Sequence, residues 1–346
     1  MNILVVNFGS ATLKYKVIGP GETCLRRGQY PIAEGMDGIE AAWQGIQIDA
    51  IGHRVVHGGS KYRESVVIDP SVLDEIQALN ELAPLHNPSA HAGIQHLTRL
   101  GLPQVAVFDT AFHATLPKHA YTYALPAELA EKHGIRRFGF HGIAHQYAAL
   151  RHAELAGTQA RVISLHLGNG CSACAIADGK SIETSMGLTP LEGLMMGTRS
   201  GDIDPGLIPY ISRRENWTLD RIEKMLTEES GLKGVSGVSQ DIRHLAGESG
   251  SFAVDLFCYR VKKYVGAYAS VLGGLDSILF TGGIGENSAD VRSRVASGLE
   301  WLGVSLDEER NQQGGEGAIH QGKVGIWVIS GDEELMIARE VIRLLG

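Results

Sequence analysis

The chain has 346 residues, 44% hydrophobic and 20% charged, which excludes global disorder and fibrous or low-complexity protein and supplies enough chain for two domains. A formal charge of −8 argues against a nucleic-acid coat or a polybasic membrane anchor, since either needs clustered Lys and Arg. The outlier is glycine: 44 residues, nearly twice the usual share, with no G-X-Y period and only 11 prolines, so the surplus serves turns or backbone that approaches a ligand.

The opening residues MNILVVNFGS lack the basic segment and long apolar core of an export signal, and no apolar run approaches the ~18 residues of a membrane span, so a cytoplasmic protein is expected. Ile3 to Val6 reads as a buried strand, Asn7 to Thr12 as a tight polar turn and Leu13 to Ile18 as a second strand. Helical stretches follow at Ser71 to Leu82 and Pro126 to His133, among loops studded with histidine. Val162 to Leu167 and Cys171 to Ala177 form a second hairpin around Gly168-Asn169-Gly170, with a third strand from Lys180 to Thr184. Cys171 and Cys174 are read as small residues of that strand rather than a metal or redox pair, because no second C-x-x-C accompanies them. Strand, glycine turn and strand thus occur twice, suggesting two similar α/β halves, each with a hairpin tip whose N–H groups suit phosphate.

Phe252 to Leu272 carries a helical apolar period that stops at Gly273-Gly274, and Ser277 to Thr281 reads as a strand. A glycine loop, Gly282 to Asn287, leads to Ser288 as N-cap of a helix from Ala289 to Leu302, and Gln312 to Gly317 reads as a loop. The last helix, Glu333 to Leu345, has acidic residues at its start and arginines later, matching the helix dipole. A tight domain boundary is expected near residue 146, with the last helix returning to the first half.

Three nucleotide or metal motifs fail. Gly179-Lys180-Ser181 lacks the earlier glycine of a P-loop, Gly283-Ile284-Gly285 lacks the third glycine of a dinucleotide fingerprint, and His141 and His145 lack the glutamate of a zinc helix. What remains is a series of segments in which glycine, fixed charge and histidine recur: GHRVVHGG, PLHNP, VFDTAFH, RRFGFHG and MGLTPLEGLMMGTRSGDIDP. Each alone is an ordinary loop. Together with two phosphate-type hairpins they would be costly backbone in a protein without a ligand.

With FTGGIGEN and DEELMIARE, these motifs resemble, in order and across almost the whole chain, the acetate and propionate kinase family of the actin, sugar-kinase and heat-shock ATPase superfamily. The resemblance implies an α/β protein of two duplicated ribonuclease-H-like (actin-like ATPase) domains, residues 1–145 plus 331–346 and residues 146–330, with an interdomain cleft. It implies reversible transfer of the ATP γ-phosphoryl to acetate, giving acetyl phosphate and ADP, with Mg²⁺ or alternatively Mn²⁺, in a homodimer that engages neither nucleic acid nor membrane. Asn7 and Glu333 match the family's magnesium residues and Lys14 its nucleotide-phosphate lysine. His166, Leu167, Gly168, Asn169 and Gly170 match the second phosphate loop. Asp241, Ile242 and Arg243 match a nucleotide-contacting segment, and Gly283, Ile284, Gly285, Glu286 and Asn287 the adenosine loop.

By the same resemblance Arg54 binds substrate, Arg199 holds the transferring phosphoryl group, His141 serves the transition state and Asp109 is the essential acid. Acetate is ionised at neutral pH, so Asp109 need not be a base and is expected to hold Arg199 or a magnesium-bound water. Val56, Leu85, Phe140 and Pro190 match the small apolar substrate pocket, and Val56 the acetate-preferring members. The chain is shorter than typical members, chiefly between Lys14 and His53, and has Ala11 and Thr12 where serines are usual. Rival readings are a kinase for propionate or another short-chain acid, an ATP-driven binding module, which needs a peptide-binding domain, and a degenerate homologue, which would have lost charge at Arg54, Asp109, Arg199 or Glu333.

Overall fold

The computed structural model describes residues 1–8, 12–31, 43–83, 86–157 and 161–346. They form two compact units: Met1–Ala114 with Phe140–Tyr147 and Asp332–Gly346, and Thr115–Gly139 with Ala148–Gly331.

The first unit holds strands β1 (Ile3–Phe8), β2 (Thr12–Ile18), β3 (Cys24–Pro31), β4 (Ala50–Val55), β5 (Val66–Val67) and β6 (Gln104–Phe108), in the order β3-β2-β1-β4-β6-β5. β1 to β3 run antiparallel, whereas β4 and β6 run parallel to β1. The parallel centre explains the unbroken apolar run at Ile3 to Val6, since both faces of such a strand are covered. One face packs Leu4, Val6, Phe8 and Ile51; Val55, Ile76, Ile94 and Phe108 make a second cluster. The helix Glu333–Leu345 lies directly on β4, where a Cβ on Gly52 would sit 2.6 Å from Ile337 Cγ2. Glycine at 52 is therefore what lets that helix, and Glu333 at its start, approach the sheet.

The second unit repeats the scheme with β7 (Val162–Leu167), β8 (Cys171–Ala177), β9 (Lys180–Thr184), β10 (Ser277–Thr281), β11 (Gly317–Ala318) and β12 (Gly325–Val328), in the order β11-β12-β10-β7-β8-β9. β7 to β9 are antiparallel, β10 and β12 run parallel to β7, and β11 is antiparallel to β12. Strand for strand this is the first sheet again, so the expected duplicated ribonuclease-H-like fold holds. Among the described residues no helix is long and apolar enough to cross a membrane.

The local departures have local causes. The expected helix from Ser71 runs Pro70–Ala78, capped by Asp69, and tightens to a 3-10 turn at Leu79–Glu81. The helix capped by Ser288 stops at Ala296, because Ser297 turns extended (ψ 131°). Gly282–Asn287 is a short helix rather than a loop: Gly282, at φ +78°, turns the chain straight out of β10 into helical geometry. Part of the expected loop at Gln312–Gly317 belongs to the helix Glu308–Gln313, nucleated by the Asp307 cap on the Arg310 N–H. Cys171 and Cys174 are buried on β8, and burial pushes each thiol up to about 12, as suits strand packing rather than redox chemistry.

His53, buried on β4, donates from Nε2 to Gln104 Oε1 at 2.6 Å, and burial lowers its pKa to about 4 from the ordinary 6.5. The unfolded chain therefore binds a proton that the folded chain refuses, and stability falls as pH drops through 6.5 toward 4. On this account unfolding free energy should be about 2 kcal/mol lower near pH 5 than near pH 7.5, measured by chemical denaturation, and His53→Gln should remove most of the difference. An unchanged difference in the variant would contradict the assignment.

Candidate active site

In the first unit, the carboxyl ends of parallel strands gather four of the expected residues, as is usual for ligand sites on such sheets. Asn7 lies near the end of β1, Arg54 near the end of β4, Asp109 just beyond β6 and Glu333 in the first turn of the last helix. Arg54 is the hub. Its Nε and Nη2 donate to the two oxygens of Asp109 at 3.0 and 2.6 Å, its Nη1 reaches Asn7 Oδ1 at 3.4 Å, and Glu333 Oε2 stands 3.9 Å from Nε. The Asp109 side chain is 1% exposed and that of Arg54 19%.

Burial works against the Arg54 charge, but Asp109 and Glu333 outweigh it and hold the guanidinium above the ordinary arginine value. Burial raises the Asp109 carboxyl, against the pull of Arg54. Both Asp109 oxygens accept from Arg54, a partner that the sequence reading did not name for it. The reason lies in the sheet, where Arg54 faces Val107 across β4 and β6 and the Asp109 N–H donates to Val55 O, setting the carboxylate beside the guanidinium.

His141 has φ +55°, a left-handed conformation that a non-glycine residue keeps only when its neighbours enforce it. They do so here. His113 Nε2 donates to Phe140 O at 3.0 Å, and the Gly142 N–H donates to Asp109 O at 2.9 Å. A Cβ on Gly142 would lie 2.1 Å from that oxygen, so only glycine permits the contact. Phe140 is buried against the edge of His57, and Val56 is half-buried just beyond β4. Lys14 is exposed on β2, opposite Asn7 in the hairpin register and hence on the same sheet face. Leu85, like Gly9 to Ala11 of the hairpin tip, lies outside the described residues.

Two supporting roles escaped the sequence reading, which noted Asp332 only as an acidic residue at the start of the last helix. Asp332 caps the last helix, accepting the Leu335 N–H at 2.9 Å, and its other oxygen pairs with Lys16 on β2. An aspartate immediately before a helix was a legible cap signal. Its lysine partner, 316 residues away, was not.

In the second unit, β7 and β10 pair so that Thr281 faces His166, bringing His166 to Gly170 and Gly282 to Asn287 to one sheet end. The segments meet backbone to backbone: a Cβ on Gly282 would stand 2.7 Å from Leu167 O. The Gly197 N–H donates to Asn169 O at 3.0 Å, drawing the Met186 to Pro205 segment onto the same loop. From that segment Arg199 donates to Pro190 O at 3.0 Å, which brings two expected residues together. Burial lowers the Arg199 pKa, and among the described residues it forms no ion pair, leaving a positive group suited to an anion.

Glu286 is half-buried and turned to backbone, its Oε1 accepting the N–H groups of Gly282 and Gly331 at 3.0 and 3.1 Å, and burial raises its pKa. Asn287 donates to Gly283 O at 2.9 Å, and Ile284 is half-buried. Asp241 holds the Arg243 N–H and guanidinium on an exposed turn around Ile242. Among the described residues no cluster of three or more His, Cys, Asp or Glu could cage a metal. Asn7 and Glu333 offer hard oxygen donors at one place, which fits a magnesium ion that keeps waters and phosphate oxygens as its other ligands.

A family model described as the Acetokinase family matches residues 30–339. The chain is 44% identical over 411 residues to an acetate kinase of Chloroherpeton thalassium, covering 99% of each chain. It is 45% identical to an acetate kinase of Dictyoglomus thermophilum, with 100% of each covered. The crystal structure of Porphyromonas gingivalis acetate kinase matches with a TM-score of 0.93 at 38% identity and 100% of each chain covered. That of a propionate kinase from Francisella tularensis matches at 0.93 and 40%, covering 99% of this chain and 100% of the other.

Removing one partner of a buried ion pair leaves the other uncompensated, so Asp109→Ala should lower unfolding free energy by about 3 kcal/mol in denaturant titration. A loss below about 1 kcal/mol would show that the pair is not the anchor its geometry suggests.

Proposed function

The chain belongs to the acetokinase family, and on that premise we propose that it catalyses reversible, Mg²⁺-dependent transfer of the ATP γ-phosphoryl group to acetate, forming acetyl phosphate and ADP. The observation that carries the reading is the Arg54 guanidinium, held by Asp109 through two of its five N–H groups and reaching Asn7 with a third, with two left for a substrate carboxylate. Acetate titrates at about pH 4 to 5, like other carboxylates, and so arrives ionised and needs no general base. That agrees with an Asp109 whose two oxygens are already engaged. Asp109 is then an orienting group.

Residues 1–145 with 331–346 are taken as the N-terminal domain and residues 146–330 as the nucleotide-binding domain. Val56, Leu85, Phe140 and Pro190 take the methyl side of the acid. Lys14 and His166 to Gly170 take nucleotide phosphates, Asp241 to Arg243 further nucleotide contacts, and Gly283 to Asn287 the adenosine. Arg199, half-buried beside a neutral carbonyl, and His141 balance charge on the equatorial oxygens of the transferring group, where preorganised donors act most strongly. Asn7 and Glu333 would hold the Mg²⁺, or Mn²⁺ in its place, and the ion supplies charge neutralisation on the phosphates. We place the protein in the cytoplasm as a homodimer, as the sequence resemblance implies.

The relative from Francisella tularensis is a propionate kinase, and one methylene in an apolar pocket is worth only ~1 to 3 kcal/mol. Propionate is accordingly a slower second substrate. A hydroxamate assay with ATP, Mg²⁺ and acetate should detect acetyl phosphate, with lower kcat/KM for propionate and lower still for butyrate. Arg199→Ala should lose at least ~10²-fold in kcat while circular dichroism stays native, and near-normal turnover would overturn its role. Val56→Ala should raise the propionate-to-acetate ratio of kcat/KM about 10-fold, and no change would remove Val56 from the pocket.

A further inference from the structure

Arg292 is the largest fully buried side chain among the described residues, 1% exposed, and it lies on the helix Ala289–Ala296, outside every motif of the sequence reading. Four of its five guanidinium N–H groups donate to neutral acceptors. Nε donates to Asn311 Oδ1 at 2.7 Å, Nη1 to Gly285 O and Glu286 O at 2.8 and 2.9 Å, and Nη2 to Asn311 O at 2.9 Å. Among the described residues no carboxylate pairs with it, and burial alone lowers its pKa. Asn311 is itself fixed, its amide donating to Ala289 O and Ser293 Oγ at 3.0 and 2.9 Å.

A buried charge is an expensive way to fill space, since apolar side chains of similar volume hold a core at least as well. What an apolar group cannot do is orient carbonyls. Gly285 and Glu286 sit at the C-terminal end of the helix Gly282–Asn287, where carbonyls lack partners within the helix and the dipole favours a cation. The other end of the same segment is held by Glu286, which takes the Gly282 N–H. Backbone is fixed at both ends, while Gly283 stays exposed with nothing within 4 Å of where a Cβ would be.

We propose that Arg292 is a positioning residue for the nucleotide: its guanidinium, oriented by Asn311, sets the carbonyls of Gly285 and Glu286 and thereby the shape of the backbone on which the adenosine rests. The proposal depends on the reading that Gly283 to Asn287 holds the adenosine. Lysine at 292 keeps the charge but cannot reach all four acceptors at once.

The test compares wild type, Arg292→Lys and Gly283→Val by binding of methylanthraniloyl-ADP, steady-state kinetics and thermal melting. Arg292→Lys should weaken ADP-analogue binding and raise KM for ATP about 10-fold, as for one buried acceptor left unpaired, while KM for acetate and kcat stay within about twofold. Arg292→Gln serves the same comparison if the lysine variant does not fold. Melting that falls while nucleotide binding stays at the wild-type level, or KM for acetate rising as much as KM for ATP, would overturn the proposal by making Arg292 structural only. Gly283→Val places bulk in open space and should abolish ADP-analogue binding without loss of melting temperature. Unaltered binding there would bring down the adenosine reading itself, and the proposal with it, whereas lost binding there with intact binding in Arg292→Lys would bring down the proposal alone.

Discussion

A carboxylate as buried as Asp109 can stay charged only beside a cation whose geometry matches it, and the two-point contact with Arg54 supplies that match. Much of the first unit follows from keeping those two groups together. β4 and β6 must be parallel neighbours, so that the two side chains emerge at the same end of the sheet. The last helix must lie close enough on β4 to bring Glu333 within 3.9 Å of the guanidinium Nε, and Gly52 is the residue that permits it. The Asp332 cap and its pairing with Lys16 then fix where that helix begins. The carbonyl of Asp109 meanwhile takes the N–H of Gly142, so the residue that orients Arg54 also holds the strained backbone of His141. One ion pair thus ties Arg54, Glu333 and the backbone of His141 into a single arrangement.

The second unit solves a different problem with the same sheet. Its segments meet through backbone, at Gly282 against Leu167 and at Gly197 against Asn169, and side chains serve mainly to hold that backbone in shape. Glu286 and Arg292 do this from opposite ends of one short helix. The contrast fits the ligands proposed for each unit. A small carboxylate is recognised by a fixed guanidinium, whereas a phosphate chain and a nucleoside need room and oriented peptide groups. Arg199 stands between these styles: a half-buried cation on a glycine-rich segment whose guanidinium meets a carbonyl and a thioether.

The duplication, the hairpins at Asn7 and Gly168, the run from Ser277 to Thr281 and the last helix were legible in the sequence because each is local. Alternation, glycine turns and a cap are written within a few residues of one another. The acidic and basic motif residues were legible too, as fixed charges set among glycines and histidines, and their expected roles came from the family resemblance. Family membership rests on those motifs and on their order along the chain.

Partnership was decided by the tertiary structure. The pairing of Asp109 with Arg54 could not be read from the sequence, because it depends on which strands become neighbours and at what register. The pairing of Lys16 with Asp332 spans 316 residues, and Arg292 carries no motif at all, since its role exists only once Asn311 and the helix Gly282–Asn287 enclose it. Sequence by itself determined the elements and the chemical types, for these follow from short-range geometry and side-chain chemistry. Which charge neutralises which is a property of distance and burial, and those come into being only when the sheets assemble.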